Sequence, residues 1–385
     1  MECNRCGNTD PSYFYNGSKG LYCRKCARFK RILLNEEQEE FLYDVDPNSS
    51  EYELGFELTP YQIKASNEVC DYIRSNYDVL LNSVCGSGKT EIVVECIRKY
   101  LEKGLKVCYA ISRKEVVIEL AIRYRKIFNK AKVVAVYGGH HDNLYGDLIV
   151  CTTHQLFRYY KTFDLLILDE VDAFPLNNNE TLMNIAHNSA KGRIIYSTAT
   201  TNSFILNYIS KRKYKEVNLS VRPSLKPLIV PKAFLLPNIL SYLFLYTKLL
   251  KTNEQWIVFV SNKRKCEKLN KFFSKVINCT YVYSDLDCRR KNINDFKTKK
   301  KQIIFSTTVL ERGITIKDVN VCVLYDRKNA FSKESLIQMC GRVGRSIDNP
   351  YGELYIITSS IDLNIINCIK EIKGSNLNYE MQVMR

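Results

Sequence analysis

The sequence predicts an α/β protein with two tandem parallel-sheet domains, preceded by a small four-cysteine module. From Leu58 onwards, short and almost continuous apolar runs alternate with helical periodicity, as in parallel sheets that are covered on both faces. A stretch punctuated by Pro223, Pro227 and Pro231 divides this region into two blocks of about 160 residues each. Two closely spaced cysteine pairs precede both blocks.

Charge and periodicity together predict five segments. The cysteine module covers residues 1–31. An acidic linker covers 32–57, which contains nine acids and no Lys or Arg and is expected to be a solvated spacer. The first parallel-sheet domain covers 58–220, a second linker covers 221–236, and the second parallel-sheet domain covers 237–385.

Composition limits the classes of function. The 385 residues include 57 Lys and Arg against 41 Asp and Glu, a formal net charge of +16. An excess of this size indicates a polyanionic partner, either nucleic acid or an anionic membrane surface. A hydrophobic content of 45% is high enough for real cores, so global disorder is excluded.

The sequence also predicts a compartment. The chain opens Met-Glu-Cys-Asn-Arg-Cys, with no apolar core of a signal peptide. The apolar run Ala233–Thr247 has fifteen residues, whereas a spanning helix needs about 20, so we expect no membrane span. We therefore expect a cytoplasmic protein with reduced thiols, whose membrane association, if any, runs through partners. The odd count of 15 cysteines argues against a full disulfide framework.

A phosphate-binding loop is predicted at Ser83–Thr90, which reads Ser-Val-Cys-Gly-Ser-Gly-Lys-Thr between a strand and a helix. Small residues let backbone N–H groups surround phosphate oxygens at a helix N-terminus. We expect Lys89 to reach the β- and γ-phosphates of ATP and the Thr90 hydroxyl to ligate Mg²⁺. The alternative is a glycine-rich turn with a chance lysine. The ATP contacts expected in this loop are Cys85, Gly86, Ser87, Gly88, Lys89 and Thr90.

Acidic residues follow a later apolar strand, at Asp169-Glu170-Val171-Asp172. Carboxylates at the C-terminal end of a parallel strand lie where α/β sheets bind ligands. We expect Asp169 to hold Mg²⁺ and Glu170 to orient and deprotonate the attacking water. Asp172 is expected to couple instead to the segment Ser197-Thr198-Ala199-Thr200.

A third element is Gln338-Met339-Cys340-Gly341-Arg342-Val343-Gly344-Arg345. Arg342 and Arg345 are three residues apart and therefore share one helix face. They are predicted to insert into an interdomain cleft and stabilise charge on the transferred γ-phosphoryl group, with Gln338 in the same catalytic set. The alternative is an ordinary surface basic pair.

The N-terminal cysteines form two Cys-x-x-Cys pairs, Cys3/Cys6 and Cys23/Cys26, separated by sixteen residues. Four thiolates at this spacing predict a closed, tetrahedral and structural Zn²⁺ site rather than two redox pairs. Basic residues next to the second pair alternate with aromatic residues. This composition suits single-stranded nucleic acid, but a protein-docking role for the module is equally open.

These elements, in this order, resemble the superfamily 2 helicases over about residues 54–358. The resemblance implies two RecA-like domains and an adenine contact from Gln62 within Thr59-Pro60-Tyr61-Gln62. It also implies an ATP contact from Gly313, although Thr315 departs from the acidic residue that many members carry there. The residues that it implies as strand contacts are Arg113, Gly138, Gly139, Thr153, His154, Gln155, Ser261 and Thr308.

Narrower motifs look like those of the late-competence DNA-uptake ATPase family, ComFA. They are Asp169–Pro175, Gln255–Val260, Leu310–Thr315 and Gly341–Arg345, together with the four-cysteine zinc module. The resemblance implies a DNA-dependent ATPase that moves along single-stranded DNA during natural transformation, together with other uptake proteins, and that uses ATP, Mg²⁺ and Zn²⁺. The alternatives are a replication-restart or RNA helicase of superfamily 2 and a non-enzymatic, ATP-gated nucleic-acid-binding scaffold.

Overall fold

The computed structural model describes residues 1–34, 36, 38–251, 253–313 and 316–384. The chain divides into two compact units, both of the α/β class predicted from the sequence. The first unit comprises Met1–Ser83 and Gly88–Leu219, and the second comprises Val84–Ser87 and Ser220–Arg385. Within the described part of the chain, every helix falls short of the length or the apolar character that crossing a membrane requires.

The first unit begins with the cysteine module, which is built on an antiparallel hairpin of β1 (Phe14–Gly17) and β2 (Gly20–Cys23). Phe14 pairs with Cys23, and Tyr15 pairs with Tyr22. Because successive side chains in a strand point to opposite faces, these two pairs lie on opposite faces of the hairpin. Short 3-10 helices at Pro11–Tyr13 and Ala27–Phe29 flank it.

The rest of the first unit is a seven-stranded sheet with helices. Its strand order is β5-β6-β4-β7-β8-β3-β9, and every pair of neighbours is parallel. Its elements in chain order are α1 (Pro60–Arg74), β3 (Asp78–Ser83), α2 (Lys89–Ile92), α3 (Val94–Leu101), β4 (Val107–Ile111), α4 (Lys114–Ile127), β5 (Val133–Val136), β6 (Leu148–Thr152), β7 (Phe163–Leu168), α5 (Glu180–Ser189), β8 (Ala190–Thr198), α6 (Ser203–Ile209) and β9 (Tyr214–Leu219).

Most strands of this sheet are buried, including the edge strand β5, which explains their apolar sequences. Every residue of β4, β5 and β6 is buried, and β3 is buried except at Asn82. The strand β8 lies between β7 and β3. The acidic residues that follow β7 and the carboxyl end of β3 therefore flank the carboxyl end of β8.

The acidic stretch after the module differs from the solvated spacer that its composition predicts. The ring of Phe41 stacks on Tyr145 at 5.0 Å and meets Tyr159 edge-on at 5.3 Å. Lys106 lies 4.7 Å from the ring centre of Tyr43, and Ser49 in the 3-10 helix Pro47–Ser50 is fully buried. Aromatic anchors between the acids therefore hold the described part of this stretch against the first unit.

The second unit is a six-stranded parallel sheet of order β10-β15-β14-β11-β13-β12. Its first strand lies inside the stretch 221–236, which the sequence analysis treats as a linker, and pairs with β15 at the sheet edge. Its elements are β10 (Lys232–Leu235), α7 (Asn238–Leu250), β11 (Gln255–Phe259), α8 (Lys263–Phe273), β12 (Cys279–Val282), α9 (Arg289–Lys297), β13 (Ile303–Ser306), β14 (Val319–Tyr325), α10 (Lys333–Cys340), β15 (Leu354–Thr358) and α11 (Leu363–Val383).

Candidate functional site

The predicted phosphate loop connects β3 to α2, as expected. Gly86 and Gly88 have φ angles of 81° and 88°, the left-handed region that glycine adopts without strain. A Cβ atom at Gly88 would lie 2.3 Å from the amide nitrogen of Gln62, so the chain has no room for a larger residue there. Lys89 and Thr90 form the first turn of α2, and both are half-buried.

Gln62 is held against this loop by the start of α1. Its Oε1 accepts hydrogen bonds from the Thr59 backbone N–H at 3.0 Å and the Thr59 hydroxyl at 3.1 Å, and the Thr59 hydroxyl in turn caps the helix. This capping box leaves Gln62 only 2% exposed, with its amide nitrogen beside Gly88. The structure thus brings Gln62 and the loop together, while the adenine contact stays a prediction.

Asp169 lies directly after β7, and three hydrogen bonds fix its carboxylate. Oδ2 accepts from the Tyr109 phenol at 2.7 Å, and Oδ1 accepts from the Ser197 hydroxyl at 2.8 Å and from the Glu170 N–H at 2.9 Å. Glu170 follows with a left-handed φ of 54°. This backbone conformation is uncommon for a residue with a Cβ atom and is frequent at functional sites.

Tyr109, in the middle of β4, is a residue that the sequence analysis missed. Besides donating to Asp169, its phenol takes part in a hydrogen bond with the Thr90 side chain. It therefore links the two residues predicted to ligate Mg²⁺. Burial, with the charge of Asp169 adding to it, raises the pKa of Tyr109 well above its usual value, so the phenol stays a donor. A hydroxyl inside an otherwise apolar strand is the signal that points to such a role.

The predicted coupling segment is joined to both acids. The Thr200 hydroxyl donates to Asp172 Oδ2 at 2.8 Å, and Ser197 at the end of β8 donates to Asp169 as described. The Thr198 hydroxyl donates to the Thr200 carbonyl at 2.5 Å, which tightens the turn around Ala199. The structure therefore brings Asp172 to this segment, while the coupling role stays a prediction.

In the second unit, α10 and the turn after it carry Gln338, Arg342 and Arg345. The Cys85 thiol donates to Gln338 Oε1 at 3.2 Å. The side chain of Arg342 is 1% exposed and donates from Nε to the Glu311 carbonyl at 3.2 Å. Arg345 is half-buried and donates from Nε to the Gly341 carbonyl at 2.8 Å.

Arg222 organises this turn and was also missed, because it lies in a stretch without periodicity. Its guanidinium is 3% exposed and donates to the carbonyls of Cys85 at 2.8 Å, Val343 at 2.8 Å and Gly341 at 3.1 Å. Burial, with the charge of Arg345 adding to it, lowers the pKa of Arg222 to about 10. Gly313, predicted to contact ATP, has a left-handed φ of 83°, and its neighbours Ile314 and Thr315 lie outside the described residues.

The predicted strand contacts of the first unit are not equally accessible. Gly138 and Gly139 are exposed in a tight turn closed by Tyr137 and His140, whose backbone groups bond at 2.9 and 3.0 Å. Arg113 is half-buried at the start of α4. The turn and Arg113 stay predicted contacts.

A second group of predicted contacts lies in the 3-10 helix Thr153–Arg158, which follows β6. Gln155 is half-buried and accepts from Arg158 at 2.7 Å, so it stays a predicted contact. Thr153 is fully buried, so its hydroxyl cannot reach a strand without rearrangement. His154 faces the cysteine module, with its ring centre 6.0 Å from that of Phe29, and burial lowers its pKa.

Ser261 and Thr308 are the predicted nucleic-acid contacts of the second unit. They follow the carboxyl ends of two neighbouring strands of its sheet. β11 and β13 are parallel neighbours, with Phe259 in register with Ser306. Ser261 and Thr308 each follow the end of their strand by two residues, Ser261 half-buried and Thr308 exposed. The sheet geometry therefore places these two residues side by side.

The four predicted metal ligands form one buried cluster. Each of Cys3, Cys6, Cys23 and Cys26 is 2–4% exposed, and their sulfurs all lie within 4.8 Å of one another. The Cys3–Cys26 and Cys6–Cys23 sulfurs are 3.7 and 3.8 Å apart. Four thiolates at about 2.3 Å from a tetrahedral metal ion would have their sulfurs about 3.8 Å apart, so this cluster can hold such an ion.

The surroundings of the cluster also fit a metal–thiolate group with net negative charge. Arg5 is 5% exposed, and its guanidinium donates to the Phe29 carbonyl at 3.2 Å. Burial lowers the pKa of Arg5, whereas the neighbouring cysteines raise it. All fifteen cysteines of the chain are free thiols.

Comparison with known proteins agrees with this arrangement. Residues 55–203 match the family model "Type III restriction enzyme, res subunit", and residues 236–346 match "Helicase conserved C-terminal domain". The competence protein ComFA of Streptococcus pneumoniae is 32% identical over 97% of this chain and 90% of its own length. ComFA of Bacillus subtilis is 30% identical over 97% of this chain and 85% of its own length.

Solved structures share the fold at low sequence identity. The Mycobacterium smegmatis helicase Lhr bound to ssDNA and AMP-PNP has a TM-score of 0.62 at 15% identity, over 86% of this chain and 51% of that one. S. cerevisiae Dbp5 bound to RNA and ADP BeF3 has a TM-score of 0.59 at 18% identity, over 83% and 91%. RecG bound to a three-way DNA junction has a TM-score of 0.59 at 19% identity, over 84% and 45%.

Proposed function

The chain belongs to the ComFA family of competence proteins, and from that premise we propose that it is an ATP-driven translocase on single-stranded DNA that serves DNA uptake. Its two helicase domains make it an ATP-hydrolysing enzyme of the helicase class. The observation that supports the motor proposal is the pair of hydrogen bonds that joins Asp169 to Ser197 and Asp172 to Thr200. A protein that only bound nucleotide would not need its acidic motif tied to a second segment in this way.

Each residue of the nucleotide site has a proposed role. The backbone N–H groups of the loop and the Lys89 ammonium bind the ATP phosphates. Thr90 and Asp169 would hold Mg²⁺, which neutralises phosphate charge. Glu170 positions and deprotonates the attacking water. The guanidinium groups of Arg342 and Arg345 stabilise charge on the γ-phosphoryl group, with Gln338 in the same set.

Hydrolysis is coupled to movement through the end of β8. When the bound nucleotide is hydrolysed or exchanged, the Asp169 carboxylate shifts. Ser197 follows because its hydroxyl donates to that carboxylate. Thr200 is bound to Asp172 and moves with the acidic motif. The segment 197–200 thus passes the state of the nucleotide to the rest of the unit.

Strand binding runs mainly through the nucleic-acid backbone, which explains the excess of basic residues. Residues 58–385 carry a net charge of +20, because the total of +16 includes +5 from residues 1–31 and −9 from residues 32–57. We propose as contact points Arg113, Gly138, Gly139, Gln155, Ser261 and Thr308. Because such contacts release counterions, affinity falls steeply with salt.

The cysteine cluster is proposed to bind one structural Zn²⁺. Its four sulfurs would fill a tetrahedral shell completely, which leaves no open position for substrate or water. Zinc would therefore stabilise the module rather than catalyse a reaction. We also propose that the protein works in the cytoplasm with other DNA-uptake proteins, which would supply any membrane association.

The proposal is tested by ATPase rates with single-stranded DNA, duplex DNA and RNA, each at two salt concentrations. We expect single-stranded DNA to stimulate hydrolysis most, and Lys89→Ala and Glu170→Gln each to lower the stimulated rate at least 100-fold. Lys99→Ala, which changes an exposed lysine of α3, is the matched control and should leave the rate unchanged. Stronger stimulation by RNA would favour an RNA helicase instead. If no nucleic acid stimulates hydrolysis, the proposal fails.

A further inference from the structure

The cysteine module is fixed to the first unit rather than tethered to it. Asn184 of α5 donates to the Cys6 carbonyl at 2.8 Å, and Asn188 donates to the Arg5 carbonyl at 3.0 Å. The ring centre of Phe29 lies 5.9 Å from that of Phe157 in the 3-10 helix Thr153–Arg158. The four cysteines and Phe29 belong to the same buried cluster as the core of this unit.

The two faces of the module hairpin have different compositions. Phe14 and Cys23 lie on the inner face, where Cys23 is buried and Phe14 packs against the core. Tyr15 and Tyr22 lie on the other face, with ring centres 5.7 Å apart. A backbone hydrogen bond of 2.7 Å from Arg24 to Tyr13 extends the strand pairing by one step. By the two-residue period of strands, Arg24 shares the face of Tyr22. Tyr13 ends the 3-10 helix Pro11–Tyr13 and is connected to this face by Lys25, which lies over its ring.

Cations lie over the rings of this outer face. Arg24 is 5.4 Å from the ring centre of Tyr15, Arg31 is 5.0 Å from that of Tyr22, and Lys25 is 5.4 Å from that of Tyr13. Tyr13 and Tyr15 remain 41% and 51% exposed. We define this set as the outer face of the module, and its members are Tyr13, Tyr15, Tyr22, Arg24, Lys25 and Arg31.

The outer face carries more positive than negative charge. In the parts of the chain that the structure describes, no ion pair joins Arg24, Lys25 or Arg31 to an acidic side chain. The module has only two acids, Glu2 and Asp10. Asp10 accepts hydrogen bonds from the Ser12 hydroxyl and N–H at 2.8 and 3.0 Å, which lower its pKa together with the charge of Lys25. The face therefore presents three positive charges beside partly exposed aromatic rings, with Asp10 near one of them.

We infer that this outer face is a binding face for single-stranded nucleic acid, which extends the path of the strand proposed above. Phosphates pair with guanidinium and ammonium groups, and unpaired bases stack on tyrosine rings, so both features of the face are used at once. Duplex DNA would use the charges alone, because its bases are already stacked. The inference rests on the proposed function and names a further site for the same substrate.

The module is seated next to one of the predicted strand contacts. Arg28, just after the second cysteine pair, lies 4.8 Å from the ring centre of Phe29, and Phe29 lies against His154. His154 therefore seats the module on the 3-10 helix Thr153–Arg158, which also carries the predicted contact Gln155.

Direct binding to the full-length, zinc-loaded protein tests the inference. Fluorescence anisotropy with a labelled oligothymidylate, and separately with a labelled DNA duplex, gives the Kd at several salt concentrations. The proteins compared are wild type, Arg24→Gln/Arg31→Gln, Tyr15→Leu and Tyr15→Phe. The matched control is Lys297→Gln/Lys300→Gln, which removes two exposed charges from another basic run. Zinc content and thermal unfolding, measured for every variant, confirm that the module remains folded.

We expect the double arginine variant to bind about 25-fold more weakly near 0.1 M salt, since each lost phosphate contact costs about fivefold there and lowers the salt slope by about 0.7. Tyr15→Leu should weaken binding about fivefold or more, with Tyr15→Phe close to wild type. The stimulated ATPase rate at saturating DNA should stay unchanged in both. The lysine control should bind as wild type does.

The outcomes separate this inference from the proposed function. If wild type shows stimulation by single-stranded DNA but the arginine and tyrosine variants keep the wild-type Kd and salt slope, the inference is wrong, and the face belongs to another class of partner. An equal loss of affinity for duplex DNA and for the oligothymidylate in Tyr15→Leu would also contradict it. If wild type neither binds DNA nor is stimulated by it, the proposed function itself fails.

Discussion

Removing the Tyr109 hydroxyl, with Tyr109→Phe, tests whether the core of the first unit sets the geometry of the metal-binding residues. The phenol donates to Asp169 Oδ2 at 2.7 Å and bonds to the Thr90 side chain, and both partners are predicted Mg²⁺ ligands. Asp169 is 7% exposed, so water cannot easily replace the lost donor. A hydrogen bond to a charged group contributes about 1.5–3 kcal/mol, and we expect a loss of stability in that range.

The effect on function is expected to exceed the effect on folding. Ser197 and the Glu170 N–H still hold Oδ1 of Asp169, so the carboxylate stays in place but turns more freely. Loss of a group that orients a metal ligand lowers metal affinity about 10- to 100-fold. The Mg²⁺ concentration for half-maximal ATPase activity should therefore rise by that factor, while the rate at saturating Mg²⁺ falls less. Because the pKa of Tyr109 is raised, its phenol stays protonated through the neutral pH range. The factor by which the variant needs more Mg²⁺ than wild type should therefore be the same across that range.

Tyr124→Phe is the matched control for this experiment. Tyr124 is buried, its ring centre lies 5.6 Å from that of Tyr109, and its hydroxyl donates to the Thr90 backbone carbonyl at 3.3 Å. This variant loses the same atom from the same core but keeps every contact to Asp169. It should lose about 0.5–1.5 kcal/mol of stability and keep the wild-type Mg²⁺ dependence. If both variants shift the Mg²⁺ dependence equally, or neither does, Tyr109 is not a positioning residue.

Two further changes test the metal cluster and the coupling segment. Cys6→Ser should lower the zinc content, measured by elemental analysis, from one ion per chain to well below one. It should also lower the unfolding temperature of the first unit. If the variant retains a full ion, the cluster is not the zinc site. Thr200→Val removes the hydroxyl that donates to Asp172. It should lower the stimulation of ATPase activity by DNA at least fivefold while the basal ATPase rate stays the same. Thr201→Val is the control, and an equal loss of stimulation in both variants would contradict the coupling role.

The alternation of apolar runs and helical periodicity predicts the sheets well because most strands of these parallel sheets are buried. Val107–Ile111 is a continuous apolar run and forms β4, and the apolar run Leu165–Leu168 is the buried end of β7. The strand β9 (Tyr214–Leu219) has no such run, because it lies at one edge of the sheet with several residues exposed. An apolar run therefore identifies a buried strand, including the edge strand β5, whereas a partly exposed strand needs its partner to be recognised.

The candidate nucleotide site also has a part that the sequence predicts and a part that only the fold reveals. Its loop was predictable since phosphate binding requires glycines, Lys89 and Thr90 next to one another in the chain. Tyr109 and Arg222 act on residues 60 and 137 positions away, at Asp169 and Cys85. The hydroxyl of Tyr109 in an apolar strand indicates that it has a polar partner, but no local pattern identifies the partner, because only the fold brings the two residues together. Aromatic anchors such as Phe41 were hidden for another reason, since the acids around it dominate the composition.

The pairing of β8 with β7 explains how a short path would link the proposed nucleotide site of the first unit to its proposed nucleic-acid contacts. Since β8 pairs with β7, the residues at the end of β8 are next to the acidic motif, and two hydrogen bonds connect them to it. The cysteine module is bound to α5 and to the 3-10 helix after β6 of the same unit. A motion of this unit must therefore carry the module with it. If the outer face binds a nucleic-acid strand, the bound strand contacts the first unit at a fixed position, because no flexible linker separates the module from that unit.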